Sequence, residues 1–294
     1  MADDAEQLPL LIDLDSPLRG SVKNERSVMV YNFFALERKR TEPIRYDDGR
    51  VKIEVKGTEA GIATIYDKEL LIYVASLLVD KINRGEQVDQ KLSFSGHDVL
   101  RVLRVANSGT AYDRVSGALE RLQGTQIKTN IETGGAGTDS WFSWLKTADA
   151  EYRKNAKGEK VLRAISVELC DWLYRAIIKD GRMLTYDPAY FDLPPLEKRL
   201  YEMARAHCGS QAGFRIGLEK LQARVGVEGP TRNFRSKLKK ISERERPLPE
   251  YGFKIVDTPA PGRRKNASGA AMVVFWRLDR WRDYAPDSFP EVED

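Results

Sequence analysis

The sequence predicts an α+β protein built from two tandem winged helix-turn-helix domains behind a short flexible N-terminal tail. Three observations carry this expectation. Near the C-terminal end, a basic helix follows a Gly-Pro turn and precedes two β-rich runs joined by a basic loop. An earlier stretch repeats that order of elements. The apolar stripes of the two third helices match at a constant offset of 119, pairing Val115 with Phe234, Leu119 with Leu238 and Leu122 with Ile241. The resulting partition is a tail over 1–26, an N-terminal domain over 27–188, a C-terminal domain over 189–286 and a final tail over 287–294.

The elements follow in chain order. Residues 1–26 are polar and without sustained periodicity. SVMVYNFFA (27–35) is an apolar run that reads as a strand, and RVKIEVKG alternates with Val51, Ile53 and Val55 on one face. Asp48-Gly49 between them is a hairpin signal. DKELLIYVASLLVDKIN (67–83) is a helix with Leu70, Val74, Leu77, Leu78 and Ile82 toward a core. KLSFS is a short strand, GHDVLRVLRV a second helix, and the third helix runs from Thr110 to Leu122 after an Asn-Ser-Gly turn. TQIKTNIET and SWFSWLKTADAEYR then form the expected hairpin around Gly134-Gly135-Ala136-Gly137. VLRAISVEL, the helix CDWLYRAIIKDG and MLTYDPAYFDLPP make a connector, with the boundary near Tyr186–Pro194.

The second unit opens with a helix from Leu196 to His207 behind Pro194-Pro195. GLEKLQARV is its second helix, and Gly229-Pro230 leads into the third, TRNFRSKLKKISERE (231–245). Phe234, Leu238 and Ile241 form its apolar stripe, while seven of the residues from Thr231 to Arg246 are Lys or Arg against two Glu. YGFKIVDTP and AMVVFWRL are β-rich, and the loop between them carries Arg263, Arg264 and Lys265. A basic helix after a turn, then a hairpin with a basic tip, is suited to place the helix in a major groove and the loop on the backbone. The candidate contacts are Thr110, Tyr112, Arg114 and Arg121 on the first third-helix, and Thr231, Arg232, Asn233, Arg235, Ser236, Lys237, Lys239 and Lys240 on the second. Arg pairs bidentately with guanine and Asn with adenine, so Arg232, Asn233 and Arg235 are the expected base readers. Lys239, Lys240 and Arg263, Arg264 and Lys265 are the expected phosphate contacts.

Composition bounds the alternatives. With 294 residues, 41% hydrophobic and 31% charged, the chain is of ordinary globular composition. A net charge of +4 is too small for bulk charge to carry a nucleic-acid argument, so the local runs carry it. Two cysteines, Cys170 and Cys208, fit a reducing cytosol, and the acidic N-terminus is unlike a targeting leader. The apolar runs are too short to span a membrane. No Gly-x-x-x-x-Gly-Lys-Ser/Thr loop is present, so no nucleotide cofactor is expected. The only histidines, His97 and His207, are isolated, so neither a metal site nor catalysis is expected.

The segments SVMVYNFFALERKR, EAGIATIYDKELLIYVASLLVDKINRG, LRVANSGTAYDRVSGALERLQGTQIKTNI and PAYFDLPPLEKRLYEMARAHCG resemble the plasmid replication initiator protein A family over Ser27 to Leu278. The resemblance implies two winged-helix domains and binding of double-stranded DNA at repeated origin sequences (iterons). It also implies a homodimer form, with a dimer surface on the first domain, and assembly of a host helicase and host initiator at the origin. The pentapeptide Gln7-Leu8-Pro9-Leu10-Leu11 resembles the sliding-clamp-binding motif of bacterial replication proteins, which implies Gln7, Leu8, Leu10 and Leu11 as an anchor. A tandem winged-helix transcriptional repressor or plasmid segregation factor would use the same helices without those partners. A pure protein-interaction module is the third alternative, and it predicts no salt-sensitive DNA affinity.

Overall fold

The computed structural model of the chain describes residues 14–105, 109–135, 139–257, 271–280 and 289–292. The segment 14–26, expected as part of a free tail, is held on the first domain. The Asp15 backbone N–H donates to Ser93 O at 2.7 Å, and its carboxylate accepts from Ser93 N at 2.7 Å and pairs with Lys81. Strand β1 (Lys23–Glu25) pairs antiparallel with Met183–Thr185, which is β9 in chain order. The run expected as a strand at 27–35 is instead a short helix, α1 (Arg26–Val30), followed by buried coil. The Glu25 carboxylate caps it by accepting from Val28 N at 3.1 Å. A short continuous apolar run cannot distinguish the two conformations, and here Val28, Met29, Phe33 and Phe34 are all buried.

Strands β2 (Ile44–Asp47) and β3 (Lys52–Lys56) form the expected hairpin. Gly49 sits at φ +88° in its turn, and the Asp48 carboxylate accepts from Val51 N at 2.8 Å. Next come α2 (Lys68–Asn83), β4 (Lys91–Ser95), α3 (Gly96–Val102) and α4 (Gly109–Gly124). Helix α2 is buried all round from Lys68 to Asp80, because it lies between two cores: most of it joins the first, whereas Ile72 joins the second. Ile82, expected in the core, is exposed.

Strands β5 (Gln126–Thr129) and β6 (Ser140–Ser143) are the hairpin expected around Gly134-Gly135, but they extend the β2–β3 pair into a four-stranded sheet ordered β2-β3-β5-β6. The chain then passes through buried Trp144 into a second hairpin, β7 (Leu145–Lys154) and β8 (Lys160–Leu169). That hairpin pairs with β4 in the order β4-β8-β7, so VLRAISVEL is the central strand of a sheet and not a connector. Helix α5 (Asp171–Arg175) runs on through a π-helical turn at Ala176–Asp180 and stops at Gly181, φ +61°.

After β9 the second unit consists of α6 (Pro195–Cys208), β10 (Gly213–Gly217), α7 (Leu218–Val225), α8 (Thr231–Ser242), β11 (Tyr251–Asp257) and β12 (Ala271–Arg277). Its sheet order is β10-β12-β11, antiparallel throughout, which reproduces β4-β8-β7 strand for strand. The residues matched at the 119 offset, Val115, Leu119, Leu122, Phe234, Leu238 and Ile241, are all buried. Each such side chain stabilises its unit by roughly 1.5–3 kcal/mol. The final segment is not a free tail either. Residues Phe289–Val292 lie along the β10 edge, with Arg215 N donating to Pro290 O and Val292 N to Arg215 O, both at 2.8 Å.

The two cores meet along α2 and α6 through a buried ionic network. Glu202 accepts from Lys68 at 2.6 Å, Arg199 at 2.5 Å, Tyr186 at 2.8 Å and Tyr190 at 2.9 Å. Lys198 pairs with Glu69 at 2.9 Å. Arg199 also donates to Met29 O at 2.9 Å and to Arg224 O at 3.1 Å. Burial opposes ionisation of Glu202, yet the nearby Lys68 and Arg199 charges outweigh it and hold the carboxyl below its ordinary range.

Candidate nucleic-acid interface

Helix α8 is positioned by the turn that precedes it. Gly226 takes φ +76° to end α7, and Gln222 Nε2 donates to Gly229 O at 2.8 Å across the α7–α8 connection. Pro230 leads in with extended backbone as the N-cap, and its carbonyl accepts from Asn233 N at 2.9 Å to start the helix. With Phe234, Leu238 and Ile241 turned into the second core, Arg232, Asn233, Ser236, Lys237, Lys239 and Lys240 lie exposed on the other side. Thr231 is half-buried at the start. From Thr231 to Ser242 the helix holds five cationic side chains and no acidic one. Arg232, Lys237 and Lys240 make no ion pair among the described residues, and Lys239 has only a loose 3.8 Å contact with Glu243.

Arg235 differs from its neighbours. Both its terminal nitrogens donate to the Asp257 carboxylate on β11, at 2.8 Å each. Those hydrogen bonds hold the Asp257 carboxyl below its ordinary range. The guanidinium fork expected to read a base is therefore occupied on the helix flank and braces α8 against the hairpin.

Helix α4 departs further from expectation. Arg121 donates to the buried Asp67 carboxylate at 2.8 and 2.7 Å, and Arg114 reaches Glu69 at 3.3 Å. Both carboxylates stand at the N-terminal end of α2, where the helix dipole favours them. Tyr112 packs edge-on against Tyr152 of β7 with ring centroids 5.3 Å apart, and the Lys160 ammonium sits 4.8 and 4.3 Å from the two rings. So Arg121 and Tyr112 are structural side chains, Arg114 is exposed but partly engaged, and Thr110 is exposed at the start of the helix. With Asp113 and Glu120 exposed as well, α4 has no excess positive charge.

The hairpin β7–β8 supplies what α4 lacks. Its outer stretch exposes Arg153, Lys154, Lys157, Lys160 and Arg163. Asn155 builds the turn by accepting from Lys157 N and Glu159 N at 2.9 Å each, and Gly158 takes φ +78°. The signal for this site, RKNAKGEK, stands in the sequence between the segments read as hairpin and connector. Arg263, Arg264 and Lys265, and the pentapeptide residues Gln7, Leu8, Leu10 and Leu11, lie outside the described residues.

The remaining reactive groups are packed away. His207 packs tilted against Phe214 with ring centroids 5.2 Å apart, and burial pushes its imidazole down to about 3. Burial pushes the Cys170 and Cys208 thiols up to about 12. Among the described residues no group of three or more His, Cys, Asp or Glu could hold a metal ion. None of the described helices is long and apolar enough to cross a membrane.

The chain thus has two units with one sheet order, one of them presenting a cationic helix. Residues 23–253 match the model of the family described as replication initiator protein A, and the chain belongs to that family. Its role is that of a replication initiator. A relative described as a putative replication protein, from Wigglesworthia glossinidia brevipalpis, is 32% identical over 237 residues, covering 80% of this chain and 85% of the relative. The fold is similar to that of domains 2 and 3 of RctB, at 16% identity with TM-score 0.58, covering 83% of this chain and 94% of that one. A second structure of the same RctB domains gives TM-score 0.53 at 14% identity, covering 86% and 97%.

Proposed function

We propose that the chain initiates replication of a plasmid by binding directly repeated sequences in its origin, through two winged helix-turn-helix domains that span 27–188 and 189–286 together with the flanking strands. The observation that carries this reading is α8: five cations, no acid, and an exposed face set by a buried apolar stripe. In this reading α8 enters the major groove, with Arg232 and Asn233 at base edges and Lys237, Lys239 and Lys240 at phosphates. Arg235 joins them only if Asp257 releases it. The first domain contributes chiefly through the β7–β8 hairpin, whose cations rest on the backbone, and less through α4. A homodimer, the host helicase and initiator, a clamp bound at Gln7–Leu11, and a cytoplasmic, non-enzymatic role complete the proposal. A repressor that used the same helices would prefer a single palindrome to direct repeats.

The test is a titration of the full chain on direct-repeat and random duplexes across a salt series. Each neutralised phosphate contributes about 0.9 to the slope of log affinity against log salt. Lys239→Glu with Lys240→Glu should flatten that slope by about 2 on both duplexes. Asn233→Ala should instead cost about 1–3 kcal/mol on the repeat alone. Equal affinity of the unaltered protein for repeat and random DNA would refute the reading.

A further inference from the structure

The sheet β2-β3-β5-β6 has one covered face and one open face. Ile44, Ile53, Val55 and Ile127 point into the first core and are buried. On the opposite face, strand register sets Arg45 against Glu54, Glu54 against Lys128, and Lys128 against Trp141, a single row across all four strands. Trp141 is 59% exposed, more than any other large apolar side chain described. The Lys128 ammonium lies 4.9 Å from its ring centroid. Lys52 and Lys56 flank the row on β3, and a shallow cavity of about 270 Å³ opens beside it between Arg45, Lys52, Glu54 and Lys128.

An exposed indole on a cationic face limits what can cover it. A protein interface core excludes charge and gathers apolar groups, whereas this face carries four cations, two carboxylates and one large apolar ring. A duplex keeps its bases stacked inside, so a flat sheet could reach only its backbone. An unpaired strand offers both a base face for the indole and phosphates for the cations, and four-stranded sheets with exposed aromatics serve as such platforms elsewhere. The present ion pairs do not obstruct this. Glu54 meets Arg45 and Lys56 at 3.1 Å and Asp47 meets Lys52 at 3.5 Å, all at the surface, where such pairs contribute little and phosphates can replace them.

We propose that the open face of this sheet binds a single DNA strand, with Trp141 stacked on a base and Lys128, Arg45, Lys52 and Lys56 on phosphates. The purpose, holding a strand released when the origin opens, rests on the origin-binding reading, but the chemistry does not. The test uses the full chain and a fluorescein-labelled oligo-dT of about 20 nucleotides, longer than the ~4–16 that one such platform covers. Fluorescence anisotropy should show Trp141→Ala binding it about tenfold more weakly, the effect of losing one stacked base. Trp141→Phe should retain most of the affinity, and Lys128→Glu should weaken it further. None of the three substitutions should alter affinity for a direct-repeat duplex, which also verifies that the variants fold. The proposal is overturned if the unaltered protein does not bind the oligonucleotide, or if Trp141→Ala binds it equally well. A Trp141→Ala variant that changes its sedimentation from dimer to monomer would overturn it in favour of a second copy of this chain on the face. Loss of repeat preference in the unaltered protein, with oligonucleotide binding intact, would instead refute the origin-binding reading alone.

Discussion

Glu202→Gln is the perturbation that most directly tests how the two units are joined. The carboxylate is fully buried and accepts four hydrogen bonds, two from cations and two from tyrosine hydroxyls. Glutamine keeps the volume and one acceptor oxygen, so the tyrosine contacts can persist in part. It removes the negative charge facing Lys68 and turns an amide donor toward other donors. Breaking one side of a buried ion pair costs about 3–5 kcal/mol, because the partner charge is left without compensation. Among the described residues Lys68 retains only Val28 O, at 2.9 Å, as a second hydrogen-bond acceptor. The expected loss is therefore about 4 kcal/mol, a large part of the ~5–15 kcal/mol that a domain has. Lys68→Met in the Glu202→Gln background removes one of the two stranded cations, Arg199 being the other, and should recover part of that loss, giving a coupling energy of roughly 1–3 kcal/mol. Urea denaturation followed by tryptophan fluorescence reports Trp144 and Trp172 of the first core, and near-ultraviolet circular dichroism adds the tyrosines around Glu202. A loss below about 1 kcal/mol, within the range of ordinary surface substitutions, or additive single variants, would refute this account of the junction.

Three further outcomes follow from single sites. Arg121→Ala should cost about 1–3 kcal/mol in denaturant unfolding, because buried Asp67 loses its bidentate partner, while duplex affinity stays unchanged. Burial, opposed in part by hydrogen bonds from Val28 and Ser27, raises the Glu25 carboxyl from 4.5 to about 7. A carboxyl raised by folding favours the native state below its unfolded value, and that contribution disappears as pH rises from 4.5 through about 7. Glu25→Gln keeps the capping oxygen, so thermal melts across that range should lose this fall, and the variant should be the more stable form above pH 7. Gly226→Ala would place a Cβ 1.9 Å from Asn32 Nδ2 at φ +76°. It should destabilise by more than the ~1–2 kcal/mol of left-handed backbone strain, with Asn32→Ala relieving only the excess, as read by urea unfolding.

The order of elements was legible because each third helix needs one apolar stripe, and the stripes survive in the sequence at a fixed offset. The register of α8 was legible for the same reason: its other residues are polar, so turning Phe234, Leu238 and Ile241 inward leaves its cations outside. What failed was partnership between distant segments. Two hairpins follow one another through Trp144, and turn chemistry marks where a strand reverses but not which sheet it joins. The Gly-rich stretch at 134–137 therefore drew the first unit's hairpin away from Asn155–Gly158. Arg121 lies on the solvent side of an isolated α4, and only the fold brings Asp67 from 54 residues away to meet it. The charged residues of LEKRLYE look like a solvated face. Lys198 and Glu202 are buried because α6 meets α2 where Glu69 and Lys68 supply their opposite charges, and Arg199 pairs with Glu202 on its own helix.

That buried network bears on how an initiator of this shape could measure DNA. A buried ion pair contributes little net stability over an apolar contact of equal volume, yet its donors and acceptors match in only one arrangement. Here the matched groups lie on α2 of the first unit and α6 of the second, so they fix the distance between the β7–β8 hairpin and α8. Arg199 extends the restraint by donating to Arg224 O on α7, the helix that leads into α8. If both contact regions rest on one duplex, as proposed above, the rigid junction makes affinity depend on the spacing between their targets. Inserting about half a helical turn, ~5 base pairs, between the hairpin contact and the α8 contact should therefore penalise the unaltered protein strongly. The Lys68→Met, Glu202→Gln variant, with the junction loosened and its net charge unchanged, should tolerate the insertion better. Equal penalties for the two proteins would mean that the α2–α6 network holds the fold together without setting the spacing it reads.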